Sequence, residues 1–118
     1  MLNRVDVQGR FTADPVLKTT QNQDIFTVFT IACDRDYGER DADFFNCTAW
    51  SGAAEFICKH FKKGKMAVIS GRLQNRKWND KDGNKRMTNE IKVESIYFCD
   101  GKKQDFEELE NDEEMPFT

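Results

Sequence analysis

Two segments of the chain carry aromatic rings and polar side chains at alternating positions. Side chains alternate across a β-strand, so residues two apart share a face. In the first segment, one face of such a strand would carry Phe44, Asn46, Thr48 and Trp50. In the second segment, one face would carry Arg72, Gln74, Arg76 and Trp78. Surfaces of this kind can stack flat rings and pair with anions.

A single-stranded nucleic acid offers what these faces would bind. Its bases stack on aromatic rings, with about 1 to 3 kcal/mol for each base, and its phosphates pair with Arg or Lys. Two other interpretations stay open. The rings of Phe44, Trp50 and Trp78 could form a second small core or a subunit interface. Arg72 and Arg76 could belong to an ordinary solvated strand face.

The elements that would position these residues are mostly strands, separated by turn residues. Residues 34–41 are charged and predict a loop or projecting hairpin, and residues 79–84 contain an Asp-Gly turn. Five strands are predicted, over residues 2–11 with a continuation at 16–20, and over 25–33, 43–50, 65–78 and 85–99.

One stretch has helical spacing. Ser51 or Gly52 is expected to cap a helix that runs through Phe61, with residues 62–64 closing its C-terminus. Its apolar side would carry Ala54, Ile57, Cys58 and Phe61. Three strands, a helix and two strands is the order of an OB-fold, a five-stranded Greek-key barrel with one helix between strands 3 and 4.

Charge divides the chain into two parts. The 118 residues carry a net charge of −3, with 18 basic and 21 acidic side chains. Residues 104–118 hold seven of the acids and no Lys or Arg, so the remainder has 14 acids and a net charge of +4. We therefore predict one OB domain over residues 1–100 and a disordered acidic tail over 101–118. A basic body suits a nucleic acid, whereas the tail alone could simply be a solubilising end.

Other function classes find little support in the sequence. The four cysteines form no Cys-x-x-Cys pair and His60 is the only histidine, so no metal site or cofactor is expected. His60 lies among lysines and is predicted to be at the surface. No Gly-rich nucleotide loop, paired catalytic carboxylates or activated nucleophile can be identified, so no enzyme is predicted. No signal peptide or membrane span is recognised, and a cytoplasmic, nucleoid-associated location is expected.

Short motifs along the whole chain occur in the order typical of one family. They are Met-Leu-Asn-Arg-Val at the start, Gly9-Arg10, Asp14-Pro15, Phe29-Thr30-Ile31-Ala32, Ala42-Asp43-Phe44, Lys62-Lys63-Gly64, Gly71-Arg72-Leu73 and Arg76-Lys77-Trp78. In these motifs the chain resembles the bacterial-type single-stranded DNA-binding proteins, including their phage relatives. The resemblance implies sequence-independent binding and protection of single-stranded DNA in replication, recombination and repair.

The resemblance also implies the residues that do the work. The DNA-binding residues would be Arg4, Arg10, Lys18, Tyr37, Phe44, Trp50, Arg72, Arg76, Lys77 and Trp78. The tip that docks replication, recombination and repair enzymes would be Asp112, Glu113, Glu114, Met115, Pro116 and Phe117. A homotetramer is expected. Thr118 after Phe117, a short linker and the polar Asp6 and Gln8 in the first strand depart from the family pattern.

Two alternatives remain beside this expectation. Stacking and phosphate pairing do not by themselves reject ribose, so an RNA-binding OB module fits the same residues. A protein-interaction adaptor would use the aromatic face for a polypeptide and the tail for a second protein, although the arginines on that face argue against it.

Overall fold

The structure, a computed structural model, describes residues 1–35 and 41–99. Its elements are β1 Val5–Phe11, β2 Lys18–Thr19, β3 Ile25–Asp34, β4 Ala42–Trp50, α1 Ser51–His60, β5 Met66–Asn79 and β6 Lys85–Phe98. The mostly-β prediction is confirmed, and β2 is the short continuation expected after the first strand. Tyr37 and the predicted tail with its docking tip lie outside the described residues.

The six strands form one closed sheet. Its order is β1-β5-β6-β4-β3-β2, and an additional pairing of β1 with β3 closes it into a barrel. All neighbours are antiparallel except β4 and β6, which run parallel. The helix connects β4 to β5 across the barrel. This is the predicted OB-fold, and the closed sheet leaves one surface for the core and one for solvent.

Stacked phenylalanine rings fill the barrel under the helix. Phe11 stacks on Phe29 with ring centroids 4.7 Å apart and on Phe61 at 5.1 Å, and Phe61 stacks on Phe98 at 5.0 Å. These rings come from β1, β3, β6 and the residue that follows α1, so one column joins distant parts of the chain. Aromatic pairs in offset geometry contribute about 0.5 to 1.5 kcal/mol each beyond the area they bury.

The start of the helix differs from the prediction. Neither Ser51 nor Gly52 is the N-cap; Trp50 occupies that position in an extended conformation, and no side chain caps the first turn. Ser51 has φ of 54°, a left-handed value that is uncommon outside glycine. The chain thus turns from β4 directly into α1 with no loop between them. As a consequence, Trp50 is held at the very end of its strand.

The end of the helix also corrects two expectations. The helix ends at His60, and Gly64 lies beyond it in a separate turn with φ of 88°. His60 is buried rather than at the surface, with its ring centroid 4.5 Å from that of Phe56 and 5.8 Å from that of Phe98. Flanking lysines suggested solvent, but the aromatic neighbours come from the helix face and from β6. The contact with Phe98 on β6 depends on tertiary packing.

All four cysteines are free thiols. Cys47 is buried, whereas Cys33, Cys58 and Cys99 are half-buried. Burial raises the pKa of Cys47 to about 12, so this thiol packs as a small apolar group. Among residues 1–35 and 41–99, no group of His, Cys, Asp and Glu side chains is placed to hold a metal ion. No helix in that part of the chain is long and apolar enough to cross a membrane.

A bulge draws β5 and β6 together. The register shifts between Ser70, which pairs with Ser95, and Gly71, which pairs with Val93. A Cβ atom on Gly71 would lie only 2.0 Å from the Lys92 carbonyl oxygen. Bulges increase local twist, and twist of this kind helps a sheet to close. Only glycine therefore fits at this crossing.

We predict that Gly71→Ala destabilises the domain by more than the usual cost of overpacking, which is about 1 to 3 kcal/mol, because the added methyl group meets backbone that cannot rotate away. Urea denaturation measures the loss. The matched control is Gly83→Ala in the β5–β6 turn, where φ is 80° but no atom lies within 4 Å of the new Cβ. That variant should cost only about 1 to 2 kcal/mol for its left-handed backbone. Equal losses in the two variants would contradict the steric argument.

Candidate nucleic-acid interface

The registers of four strands assemble a single outer surface, here called the stacking face. Directly opposite residues in paired strands point to the same side of a sheet. Phe26 on β3 is opposite Trp50 on β4, and Trp78 on β5 is opposite Arg86 on β6. The stacking face consists of Phe26, Val28, Thr30, Ala32, Phe44, Asn46, Thr48, Trp50, Arg72, Gln74, Arg76, Trp78, Arg86, Thr88, Glu90 and Lys92.

Four aromatic rings lie on this face. Phe44 is 66% exposed, Trp78 is 46% exposed and Trp50 is 39% exposed, so all three reach solvent. Phe26 supports Trp50, with ring centroids 5.1 Å apart and planes tilted by 30°. Exposed rings on one surface, each held by its strand, are suited to stacking on flat ligands. The described chain offers no second core that would enclose them.

Two cations lie directly opposite each other on the stacking face. Arg72 on β5 pairs in register with Lys92 on β6, and Lys92 is also opposite Thr48 on β4. Both cationic side chains are exposed. Like charges directly across a sheet are destabilising, by a fraction of a kcal/mol up to about 1 kcal/mol. A bound anion such as a phosphate would relieve that repulsion.

The tip of the β5–β6 hairpin is stiffened by hydrogen bonds. The indole Nε1 of Trp78 donates to the Thr88 hydroxyl at 2.8 Å, which fixes the plane of the ring. In the turn, the Asp80 carboxylate accepts from the backbone amides of Asn84 and Asp82 and from Arg86 Nε at 3.0 Å. The bond from Asn84 is the main reason that the pKa of Asp80 lies below its ordinary value. Trp78 is therefore presented on a rigid arm.

One acidic side chain lies among the cations. Glu90 is 8% exposed, and its Oε2 accepts a hydrogen bond from the Thr48 hydroxyl at 3.0 Å. Its Oε1 accepts from the Gln74 amide at 2.9 Å. Arg76 Nη1 lies 4.0 Å from Oε2, at the edge of ion-pairing distance. The carboxylate is thus held in place from β4 and β5.

The other predicted DNA-binding residues lie around this face. Lys18 on β2 is opposite Phe26 and extends the face at one side. Arg10 on β1 is opposite Ala32, the residue that is also opposite Phe44, and its Nη1 donates to the Gly64 carbonyl at 2.8 Å. These two positions place further cations beside the aromatic rings.

Arg4 and Lys77 are placed differently. Arg4 precedes β1 and forms an exposed ion pair with Asp6, with 3.6 Å between Nε and Oδ2. Lys77 is opposite Met87 on the other surface of the β5–β6 hairpin. Neither is brought onto the stacking face, and their role in binding stays a prediction.

Several residues of the stacking face were missed from the sequence, among them Phe26, Glu90 and Lys92. Phe26 alternates with the buried Thr27 and could have been found from the strand period alone. Glu90 and Lys92 also alternate with the buried residues of β6. The sequence of this long charged strand, however, does not indicate which strands lie on either side of it. Their positions beside Thr48 and Arg72 follow only from the pairing of strands.

Comparisons with known proteins agree with this architecture. Residues 2–99 match the model of the Single-strand binding protein family. The chain is 41% identical over 106 residues to Single-stranded DNA-binding protein A of Bacillus subtilis, covering 86% of this chain and 62% of the relative. It is 40% identical over 111 residues to Single-stranded DNA-binding protein 2 of Listeria monocytogenes, covering 91% of this chain and 69% of the relative. The chain belongs to the single-strand binding protein family.

Proposed function

We propose that this protein binds single-stranded DNA independently of sequence and protects it during replication, recombination and repair. The observation that carries the proposal is the stacking face, which presents exposed Phe44, Trp50 and Trp78 together with the opposed cations Arg72 and Lys92. Bases would stack on the rings, and phosphates would relieve the repulsion between the cations. The relatives from Bacillus subtilis and Listeria monocytogenes, both named as single-stranded DNA-binding proteins, support the same ligand.

Single strands suit this surface better than a duplex. In a duplex the base faces are stacked on each other, so exposed rings would find no partners. Duplex recognition by a helix needs base-reading side chains on a helix that enters the major groove. The buried face of α1 packs on the barrel instead, with Ala54, Phe56 and Ile57 in the core. The role we assign is binding without catalysis.

The main alternative within this proposal is that the ligand is RNA rather than DNA. Rings and cations accept bases and phosphates from RNA as well as DNA. Titration with DNA and RNA oligonucleotides of matched sequence and length distinguishes the two ligands. Stronger binding to DNA supports the proposal, and stronger binding to RNA would replace it.

We further propose that partner enzymes dock on the acidic tip, residues 112–117. Its acids would face a basic rim on the partner while Phe117 fills an apolar pocket. The support for this role is the sequence pattern and the family to which the chain belongs. Tyr37, also outside the described residues, is proposed as an additional stacking ring.

A homotetramer is proposed for the assembly. One side of β1 pairs with β5 from Val5 to Arg10, whereas its other side pairs with β3 only at Arg10 and Phe11. In the described chain, residues 5–9 therefore keep a free backbone edge, and such an edge favours pairing with a second copy. Gln8 points outward beside this edge and donates to Cys99 Sγ at 3.0 Å.

Removing a tryptophan should weaken binding. Trp50→Ala and Trp78→Ala should each cost about 1 to 3 kcal/mol of binding free energy for oligo(dT), because each loses one stacked base. Each variant keeps one tryptophan, so fluorescence quenching reports the titration. The control is Val16→Ala, which removes an exposed apolar side chain that is not one of the residues of the stacking face. Unchanged affinity in both tryptophan variants would exclude stacking on this face.

Salt should weaken binding through released counterions. For a single strand the logarithm of the binding constant falls by about 0.7 for each neutralised phosphate per unit of log salt. Arg72→Ala and Arg76→Ala should each make the slope shallower by roughly that amount. The control is Arg35→Ala, since Arg35 Nη2 already lies 2.9 Å from an Asp43 carboxylate oxygen. If the slope stays constant in the first two variants, these arginines contact solvent rather than phosphate.

Deleting residues 104–118 should tighten binding of single strands, most strongly at low salt. The segment carries seven acids and no Lys or Arg, so it competes with DNA for the cationic face. Phe117→Ala keeps every charge, so it should leave DNA affinity unchanged and abolish recovery of replication and repair enzymes from a bacterial lysate. Equal recovery by the full chain and by this variant would reduce the segment to a solubilising appendage.

A further inference from the structure

A cleft of about 400 Å³ opens on the stacking face between β3, β4, β5 and β6. It is lined by Val28, Asn46, Arg76, Trp78, Thr88 and Glu90. Ligand pockets begin at about 300 Å³, so the space suits a single flat ring. The Trp78 indole is fixed by its bond to Thr88 and forms one wall of the cleft.

The innermost group of this cleft is the Glu90 carboxylate. Glu90 is nearly buried, whereas Arg76 is largely exposed at the rim. A carboxylate oxygen has two lone-pair sites, so a carboxylate can accept about four hydrogen bonds. Thr48 and Gln74 supply one each, to different oxygens. Acceptor capacity is therefore left over on a side chain that lines the cleft.

A carboxylate in this position discriminates between the parts of a nucleic-acid strand. A phosphate is anionic and would be repelled, so the strand must enter with a base directed inward and its phosphate at the Arg76 rim. An ionised carboxylate only accepts hydrogen bonds. A base that directs an amino group at Glu90 gains a charge-assisted bond, and a base that directs a carbonyl oxygen there meets a second acceptor.

We propose that Glu90 makes this cleft a base-reading subsite that favours bases with an exocyclic amino group, so that cytosine is preferred over thymine there. Cytosine carries an amino group at the ring position where thymine carries a carbonyl oxygen, and both are pyrimidines. The inference rests on the proposed binding of single strands. It adds a local preference to a surface whose other contacts, by stacking and charge, accept every base.

The test compares oligo(dC) and oligo(dT) of about 16 nucleotides, the upper end of the site size for one OB domain. Fluorescence titrations at one salt concentration give both dissociation constants for the full chain and for Glu90→Gln. The amide can donate to the thymine carbonyl and cancels the charge. The ratio of dC to dT affinity should therefore fall about tenfold in the variant, the size expected for one charge-assisted bond.

Glu94→Gln is the matched control. Glu94 is exposed in the β6 bulge and does not line the cleft, yet the substitution removes the same charge from the same strand. It should tighten both ligands equally and leave their ratio unchanged. A second variant, Glu90→Asp, keeps the charge but withdraws the carboxylate by one methylene, and it should weaken dC binding selectively. Thermal unfolding verifies that each variant is folded. If Glu90→Gln does not fold, the selective loss of dC binding in Glu90→Asp tests the subsite in its place.

Two results would overturn the subsite. If Glu90→Gln changes both affinities by one common factor, as is expected for Glu94→Gln, Glu90 acts through charge alone. If it changes neither affinity, the carboxylate does not meet the ligand. Failure of the unsubstituted chain to bind either oligonucleotide is distinguishable from both, since it would overturn the proposed function together with the subsite.

Discussion

The two-residue parallel pairing of β4 with β6 is the constraint on which the site depends. Cys47 lies opposite Ile91 and Thr48 opposite Lys92, and these are the two register pairs between β4 and β6. This short contact joins the antiparallel pair β3–β4, which carries Phe44 and Trp50, to the pair β5–β6, which carries the cations. Through this contact the rows of opposite residues on β3 and β4 continue across β6 to β5. Rings and charges then share one surface.

The stacking face has an energetic cost that points to function. The register of β5 with β6 puts Lys92 directly opposite Arg72, and two like charges across a sheet oppose folding. Glu90, next but one along β6, is held by hydrogen bonds rather than by a close ion pair, since Arg76 is 4.0 Å away. A surface selected for stability alone would pair these charges more closely. Local conflicts of this kind are expected where a ligand completes the arrangement.

Sequence period identified much of the stacking face because strand alternation is a local property. Phe44 and Trp50 had to share a face once residues 43–50 formed a strand, and Arg76 and Trp78 likewise. The helix and the order of elements were also predictable from spacing. The position of the helix N-cap was not predictable, because the chain turns from β4 directly into α1, so that Trp50 is the N-cap and Ser51 is already the first helical residue.

What the sequence determined by itself is therefore the content of each strand face, the OB order of elements and the separation of an acidic segment from a basic body. Tertiary structure alone decided which faces adjoin. It put Lys92 between Thr48 and Arg72, and it buried His60 against Phe98, although the neighbours of that histidine along the chain are lysines. The physical reason is range: alternation acts over two residues, whereas strand pairing and ring packing join residues tens of positions apart, and no local pattern encodes that choice.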